Sequence, residues 1–164
     1  MPTIYNDQFY VIDPFDPPPA GTTLATQRFD LRDNNDDGDI DSRNADRVDG
    51  SDVRESYPGD TVTVTLPNGT DVTYTGITFY LADGREVFTP TDGQVLQSGT
   101  LVSTSFVNVQ GPLLVGDLGP PCLTRGTPVE TAKGPVPVEA LLPGDLVLTH
   151  DNGLQPLLWL GATT

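Results

Sequence analysis

Residues 61–66 read Thr61-Val62-Thr63-Val64-Thr65-Leu66, so that threonine alternates with an aliphatic residue. Because successive side chains of a β-strand point to opposite faces, the aliphatic side chains share one face and the hydroxyls share the other. The turn sequence Pro67-Asn68-Gly69-Thr70 follows, and the alternation resumes at Val72 and Tyr74. The segment is therefore predicted to be an antiparallel β-hairpin.

Short strands and turns extend in both directions from this hairpin. The apolar positions after Gly76 change parity, to Ile77 and Phe79, which predicts a β-bulge at the glycine. Further strands are predicted at Phe9–Ile12, Thr23–Leu31, 86–88, 94–96 and 101–109. Helix signals are nearly absent, and turn signals recur roughly every 8–12 residues. The predicted fold class is all-β, with an N-terminal antiparallel β-sandwich or barrel.

The charge of the chain is strongly acidic and unevenly distributed. Its 8 Lys and Arg against 23 Asp and Glu leave a net charge of −15. Residues 1–121 carry 19 Asp and Glu against 6 Arg, whereas residues 122–164 carry 4 acidic and 2 basic side chains. Such a chain repels the phosphates of nucleic acids and of anionic lipids, so no nucleic-acid partner is predicted. No stretch approaches the roughly 18 apolar residues of a membrane span.

This change in composition supports a division near Cys122. Residues 1–109 are predicted to be a β-rich domain with an acidic loop at 33–52, and residues 122–164 are predicted to be a second module. Gly111-Pro112 and Gly119-Pro120-Pro121 bracket a short apolar segment. Residues 110–121 are therefore interpreted as a connector rich in glycine and proline.

The acidic loop contains the first half of a calcium-binding pattern. Asp33, Asn35 and Asp37 occupy alternate positions, and Gly38 follows them. This spacing matches D-x-[DN]-x-[DN]-G, in which alternate side-chain oxygens converge on one hard cation and the glycine allows a sharp turn. The predicted Ca²⁺ ligands are the side chains of Asp33, Asn35 and Asp37, the backbone carbonyl of Asp39, and Asp41.

The second half of the loop departs from that pattern. An EF-hand loop closes with a bidentate Glu at its twelfth position, where this chain has Asn44, although Asp41 and Asp46 could substitute. The alternative interpretation is a solvated loop in which Asp and Asn side chains cap their own backbone turns and pair with nearby arginines. Calcium is the expected cofactor under the first interpretation only.

The second module opens on Cys122, the single cysteine of the chain, which excludes an intramolecular disulfide. Residues 122–131 read Cys-Leu-Thr-Arg-Gly-Thr-Pro-Val-Glu-Thr, and residues 138–148 read Val-Glu-Ala-Leu-Leu-Pro-Gly-Asp-Leu-Val-Leu. Three short strands are predicted, at Pro128–Thr131, Gly134–Val138 and Asp145–Thr149. A cysteine that fills a core usually lies within an apolar strand, so its place after Gly-Pro-Pro favours a nucleophile over a structural residue.

These residues resemble the first conserved block of Hint (hedgehog/intein) domains, in the form found in secreted alphaproteobacterial proteins. The shared features are the leading Cys, the Gly-Thr four residues later and the pattern Val-Glu-x-Leu-x-x-Gly-Asp-x-Val-Leu, and the resemblance covers residues 122–164. It implies that the second module begins the Hint β-fold. It also implies self-cleavage by an N–S acyl shift, with Cys122 as the nucleophile and Pro121 as the residue that contributes the scissile carbonyl.

The family pattern also includes a Thr-x-x-His motif in a second block. The only histidine, His150, is not part of such a motif and is predicted to be a surface residue. A complete Hint module is longer than the 43 residues from Cys122 to Thr164. The resemblance therefore implies single-turnover autoprocessing in the full-length protein and no cleavage by the chain as given.

A non-enzymatic interpretation stands beside this one. Residues 1–121 would then belong to a calcium-stabilised extracellular module for structure, assembly or adhesion, with self-association through uncovered β-edges such as Thr61–Leu66. The acidic charge and the threonine-rich strands suit an extracellular or cell-surface location. Met1–Tyr10 has neither a basic start nor an apolar run, so no Sec signal peptide is predicted. The sequence indicates no particular small-molecule ligand.

Overall fold

The computed structural model describes residues 1–118, 126–149 and 153–158, which belong to two compact units, Met1–Pro121 and Cys122–Thr164. Strands dominate these residues, so the predicted all-β class is confirmed. The described residues contain two short 3₁₀ turns, Val115–Asp117 and Val138–Ala140. Among them there is no helix with the length and apolar character needed to cross a membrane.

Ten strands are described in the first unit. They are β1 (Thr3–Val11), β2 (Thr23–Leu24), β3 (Gln27–Asp33), β4 (Asp39–Ile40), β5 (Arg47–Val48), β6 (Ser51–Thr65), β7 (Asp71–Leu81), β8 (Glu86–Pro90), β9 (Gly99–Ser105) and β10 (Leu113–Leu114).

Six of these strands close into an antiparallel barrel. β6 pairs with β7 along its length, and successive pairings through β8, β1, β3 and β5 return to β6. The pair β6–β7 is the hairpin expected around Thr61–Leu66, and both of its strands are longer than the alternation alone indicated. β9 pairs with the C-terminal half of β6, and β2 pairs with β9. Residues 61–65 therefore have a partner strand on each side, so the prediction of an uncovered edge at Thr61–Leu66 is wrong. The barrel is one of the two architectures that the sequence predicts.

The β6–β7 hairpin contributes to two separate hydrophobic cores. The first core takes buried residues from all six barrel strands, and it consists of Phe9, Phe29, Leu31, Ile40, Val48, Val53, Ile77, Phe79, Leu81, Val87 and Leu113. The second core consists of Tyr10, Ile12, Leu24, Val62, Val64, Leu66, Tyr74, Phe88, Leu96 and Leu101. The change of parity in the sequence of β7 therefore marks the passage of the strand from one core to the other.

The predicted bulge is present, with the extra residue on the partner strand. The β6–β7 register shifts between Pro58 and Asp60, which leaves Gly59 as the additional residue opposite Gly76. A Cβ atom on Gly76 would lie 2.0 Å from the carbonyl oxygen of Thr89. Gly76 is therefore required because β8 approaches the backbone of β7 too closely for any side chain.

The segment 107–118, which we call the strap, belongs to the fold of the first unit. Its strand β10 pairs with β4 in the acidic loop, with Leu113 opposite Ile40 and Leu114 opposite Asp39. Leu113 is only 2% exposed and lies in the first core. The Gly-Pro pairs on either side predict a connector over most of this segment, whereas in the structure Leu113 fills part of the barrel core.

Two further sets of hydrogen bonds hold the start of the strap against β6. The N–H of Val107 donates to Oδ1 of the buried Asp60, at 2.8 Å. The N–H of Gly111 donates to the carbonyl of Ser56 at 3.1 Å, and the Ser56 hydroxyl donates back to the carbonyl of Gly111 at 2.7 Å. The strap is thus attached to the barrel through both backbone and side-chain groups.

The second unit is a small antiparallel sheet. Its strands are β11 (Pro128–Thr131), β12 (Gly134–Pro137), β13 (Leu146–Thr149) and β14 (Gly153–Pro156), in the order β12-β11-β13-β14. The first three lie where the sequence predicts strands, and β14 is an additional one. Among the described residues of this unit, Leu141 is the buried hydrophobic side chain, whereas Leu142 and Leu158 are 67% and 86% exposed.

Candidate functional site

The acidic loop winds around the carboxylate of Asp33, the last residue of β3. Oδ1 of Asp33 accepts the N–H of Asp36 at 2.6 Å, and Oδ2 accepts the N–H of Gly38 at 2.9 Å. Asp33 is fully buried, and Asp36 has a φ of 64°. Asp33 therefore stabilises a tight turn whose backbone donors would otherwise be left without partners.

A second buried carboxylate, that of Asp46, joins the two ends of the loop. Its Oδ1 accepts the N–H of Asn34 at 2.8 Å, and its Oδ2 accepts the N–H of Asp41 at 3.1 Å. Burial raises the pKa of Asp46, because the charged form is poorly solvated there. The sequence indicates Asp46 only as a substitute ligand, because its separation from Asp41 along the chain does not reveal the hydrogen bond between them.

Three carboxylates of the loop converge. Each of Asp39, Asp41 and Asp46 places one oxygen within 4.8 Å of the others. Partial burial raises the pKa of Asp39, and the carboxylates of Asp37 and Asp41 raise it further. Nε of Arg43 donates to Oδ2 of Asp41 at 2.5 Å and offsets part of this negative charge.

The predicted calcium ligands divide into two groups in the structure. Asp39 and Asp41 lie in the cluster, although the sequence predicts a carbonyl contact rather than a side-chain contact for Asp39. Asp33 holds the turn, and Asn35 donates from Nδ2 to Oδ2 of Asp37 at 2.5 Å, which lowers the pKa of Asp37. The cluster thus combines two predicted ligands with Asp46. Its hard oxygen donors suit Ca²⁺, which takes about six to eight oxygens and would draw the remainder from backbone carbonyls and water.

Pro121 and Cys122, the two residues of the predicted cleavage site, lie outside the described residues, and so does His150, which the sequence predicts to be a surface residue. The described chain begins again at Gly126, four positions after Cys122. The N–H of Gly126 donates to Oε2 of Glu139 at 2.7 Å, and the N–H of Val138 donates to the carbonyl of Thr127 at 2.9 Å. We call these two hydrogen bonds the clamp.

The Gly-Asp pair of the conserved pattern also has a local structural role. Oδ2 of Asp145 accepts the N–H of Leu142 at 2.9 Å, and the N–H of Asp145 donates to the carbonyl of Leu142 at 3.0 Å. Gly144, between them in this turn, has a φ of 98°, which favours glycine. The turn sets the start of β13 beside β11.

Residues 121–164 match the family model of the Hint domain. We call them the Hint segment. The match begins one residue before Cys122 and includes all four strands of the second unit, together with Glu139 and Asp145. Comparisons with curated proteins and with solved structures gave no match.

Two contacts near the Hint segment and the loop escape sequence reasoning. Glu139 is part of the quoted motif, but its bond to Gly126 forms because the β11–β12 hairpin brings Gly126, just before β11, next to the 3₁₀ turn that follows β12. Similarly, the pairing of the strap with Asp39 and Ile40 joins residues more than 70 positions apart. The sequence gives only a weak signal for this strand pairing, namely the aliphatic pair at 113–114 between two Gly-Pro turns.

Proposed function

We propose that residues 1–121 are the cargo of a Hint autoprocessing module, which cleaves the chain between Pro121 and Cys122. The observation that carries this proposal is a coincidence of two boundaries. The Hint match begins at residue 121, and the division between the two compact units falls between residues 121 and 122. A bond cut there would separate the cargo from the module without dividing either unit.

The chemistry would proceed in two steps. The Cys122 thiolate attacks the carbonyl carbon of Pro121, the C–N bond breaks, and the released amine of Cys122 takes up a proton, which leaves a thioester. Water then attacks this thioester, giving a carboxylate on Pro121 and a free thiol on Cys122. An ordinary thiol with a pKa of about 8.5 is mostly protonated at neutral pH, and the amide is stabilised by resonance, so both need activation. We place the activating histidine in the second Hint block, so the chain as given would not cleave.

The test is to express the whole open reading frame that contains these residues and to follow its intact mass with time. We expect a fragment that ends at Pro121. Added hydroxylamine, which attacks thioesters but spares ordinary amides, should give the same fragment as a hydroxamate and should accelerate its release. Complete persistence of the uncleaved chain, with and without hydroxylamine, would contradict the proposal.

The cluster of Asp39, Asp41 and Asp46 favours a second candidate function. Residues 1–121 would form a calcium-stabilised structural, assembly or adhesion module at the cell surface or outside the cell, where calcium is abundant. The two functions are compatible, because the cluster lies in the cargo and the Hint segment follows it. Charge supports this candidate as well, since a bound divalent cation would reduce the repulsion within an acidic loop.

Calcium is expected to raise the thermal unfolding midpoint of residues 1–121 by several degrees over a chelator-treated sample. A ligand at 100 times its Kd stabilises the folded state by about 2.7 kcal/mol. Sodium chloride at matched ionic strength controls for screening of the net charge. Asp39→Asn should remove most of the calcium effect, whereas Asp71→Asn, at an exposed carboxylate in the β6–β7 hairpin, should retain it. An equal response of both variants would contradict a site in the loop.

A further inference from the structure

Asp60 on β6 is a buried carboxylate at the point where the strap begins, and the residue is only 3% exposed. Its Oδ2 accepts the hydroxyl of Thr78 at 2.5 Å, and its Oδ1 accepts the N–H of Val107 at 2.8 Å. Thr78 lies on β7, so this single carboxylate joins both strands of the central hairpin to the strap. None of the ion pairs formed by the described residues includes Asp60.

We propose that Asp60 makes the attachment of the strap to the barrel sensitive to pH, with the strap held most firmly when this carboxyl is protonated. The proposal depends neither on the autoprocessing reaction nor on a cation in the acidic loop. A buried carboxylate without a cationic partner is costly to ionise. Opening of the strap removes Val107 from Oδ1 and lets water reach the carboxylate, which favours the ionised form. Strap opening and proton loss are therefore coupled.

The titratable groups around Asp60 reinforce this effect, because they are carboxylic acids and phenols. Burial raises the pKa of Asp60, and the carboxylate of Asp13 raises it further, whereas its own two hydrogen bonds lower it. Tyr80 on β7 donates its hydroxyl to Oδ1 of Asp13 at 2.6 Å, and Tyr57 on β6 donates its hydroxyl to Glu55. The negative charge of Asp60 also acts on both tyrosines and raises the pKa of each.

The neutral carboxyl can keep both of its hydrogen bonds. One oxygen still accepts the N–H of Val107, and the O–H can donate to Oγ1 of Thr78, because a hydroxyl is both a donor and an acceptor. Protonation therefore removes the cost of burying a charge without leaving a buried group unpartnered. The stabilisation is complete below the ordinary pKa of an aspartate, about 3.9, and is lost as the pH rises through the raised pKa.

The test measures opening of the strap by hydrogen exchange in the 164-residue chain, with a chelator in every sample. The reporter is the N–H of Gly111, which donates to the carbonyl of Ser56, and its exchange rate divided by the intrinsic rate gives the opening constant. We expect this constant to rise with pH by up to about tenfold per pH unit between the ordinary and the raised pKa. Asp60→Asn, whose amide imitates the neutral carboxyl, should remove most of this rise. It should also open less than the wild type at neutral pH.

Asp71→Asn is the matched control, because it removes one negative charge from an exposed carboxylate that accepts a threonine hydroxyl in the same hairpin. It should keep the pH dependence of the wild type. The carboxylates of Asp39 and Asp46 are present in all three proteins, so the difference between the wild type and Asp60→Asn isolates Asp60. A wild-type opening constant that does not change with pH would overturn the inference, as would an equal pH dependence in Asp60→Asn.

A direct titration covers the case in which Asp60→Asn does not fold. The NMR chemical shift of the Asp60 carboxyl carbon in the wild type then decides the question. A midpoint above the ordinary range of aspartate, at the pH where the opening constant rises, supports the inference. A midpoint within the ordinary range contradicts it.

Discussion

Cys122→Ala is expected to abolish cleavage between Pro121 and Cys122, with a decrease in rate on the order of 1,000-fold or more. The methyl group of alanine offers no lone pair to the Pro121 carbonyl, so neither the thioester nor its hydrolysis product can form. Intact mass spectrometry of the protein with the complete Hint module, followed over days, measures the fragment that ends at Pro121. Release of that fragment by the alanine variant at the wild-type rate would show that another group, or a contaminating protease, cuts the chain.

Cys122→Ser separates the loss of the nucleophile from damage to the fold. Serine keeps a nucleophilic oxygen of similar size, and an N–O shift would give an ester in place of the thioester. Because a hydroxyl is far less ionised than a thiol at neutral pH, we expect slow cleavage that rises as the pH is raised. Equal and complete inactivity of both variants, with unfolding of the module in both, would indicate a structural role for Cys122.

Removal of the strap from Gln110 onward is expected to unfold the first unit. A chain ending at Val109 lacks Leu113, which is 2% exposed in the barrel core, and the two hydrogen bonds between Gly111 and Ser56. Loss of a buried leucine costs about 2–5 kcal/mol, and each hydrogen bond contributes roughly 0.5–1.5 kcal/mol. A domain of this size is stable by only about 5–15 kcal/mol. We expect the chain ending at Pro121 to unfold cooperatively in urea and the chain ending at Val109 to show no cooperative transition.

A pair of neighbouring substitutions gives a milder form of the same measurement. Leu113→Ala should lower the free energy of unfolding by about 2–5 kcal/mol, whereas Leu114→Ala, at a 53% exposed side chain, should lower it by less than about 1 kcal/mol. Similar values for the two variants would show that the strap does not contribute to the core. Cleavage after Pro121 leaves the strap on the cargo, whereas a cut after Val109, the predicted end of the domain, would remove most of it. The expected difference between the two variants would therefore show that the cargo depends on the residues between Val109 and Pro121 for its stability.

The sequence predicted those features that depend on neighbours in the chain. The β6–β7 hairpin follows from strict alternation around Thr61–Leu66 with a turn sequence beyond it, and the bulge follows from the change of parity after Gly76. Three strands of the second unit follow in the same way from short apolar stretches between tight turns. The Hint match rests on residues 121–164 alone, so it too could be anticipated from the linear pattern.

The predictions were less complete where contacts join distant residues. The calcium pattern indicated alternate ligands from Asp33 onward, but the folded loop uses Asp33 to hold its own backbone and gathers Asp46 beside Asp39 and Asp41. Whether a carboxylate accepts a backbone N–H or stays available for a cation depends on which N–H groups are buried without another acceptor. The spacing of residues in the sequence does not give this information. The same holds for Glu139, whose acceptor role arises only when the sheet brings Gly126 to it.

By itself, then, the sequence determined the β class, the central hairpin and the nature of the segment that begins at Cys122, because each of these depends on a local period or a local motif. Only the folded structure shows that the strap packs against the barrel and contributes Leu113 to its core. Gly-Pro turns on either side made residues 110–121 resemble a connector, and nothing nearby in the chain could bury Leu113. In the folded chain, Leu113 is buried in the barrel core beside Ile40, which lies more than 70 residues earlier. This contact is favourable because it removes apolar surface from water, whatever the separation of the two residues along the chain.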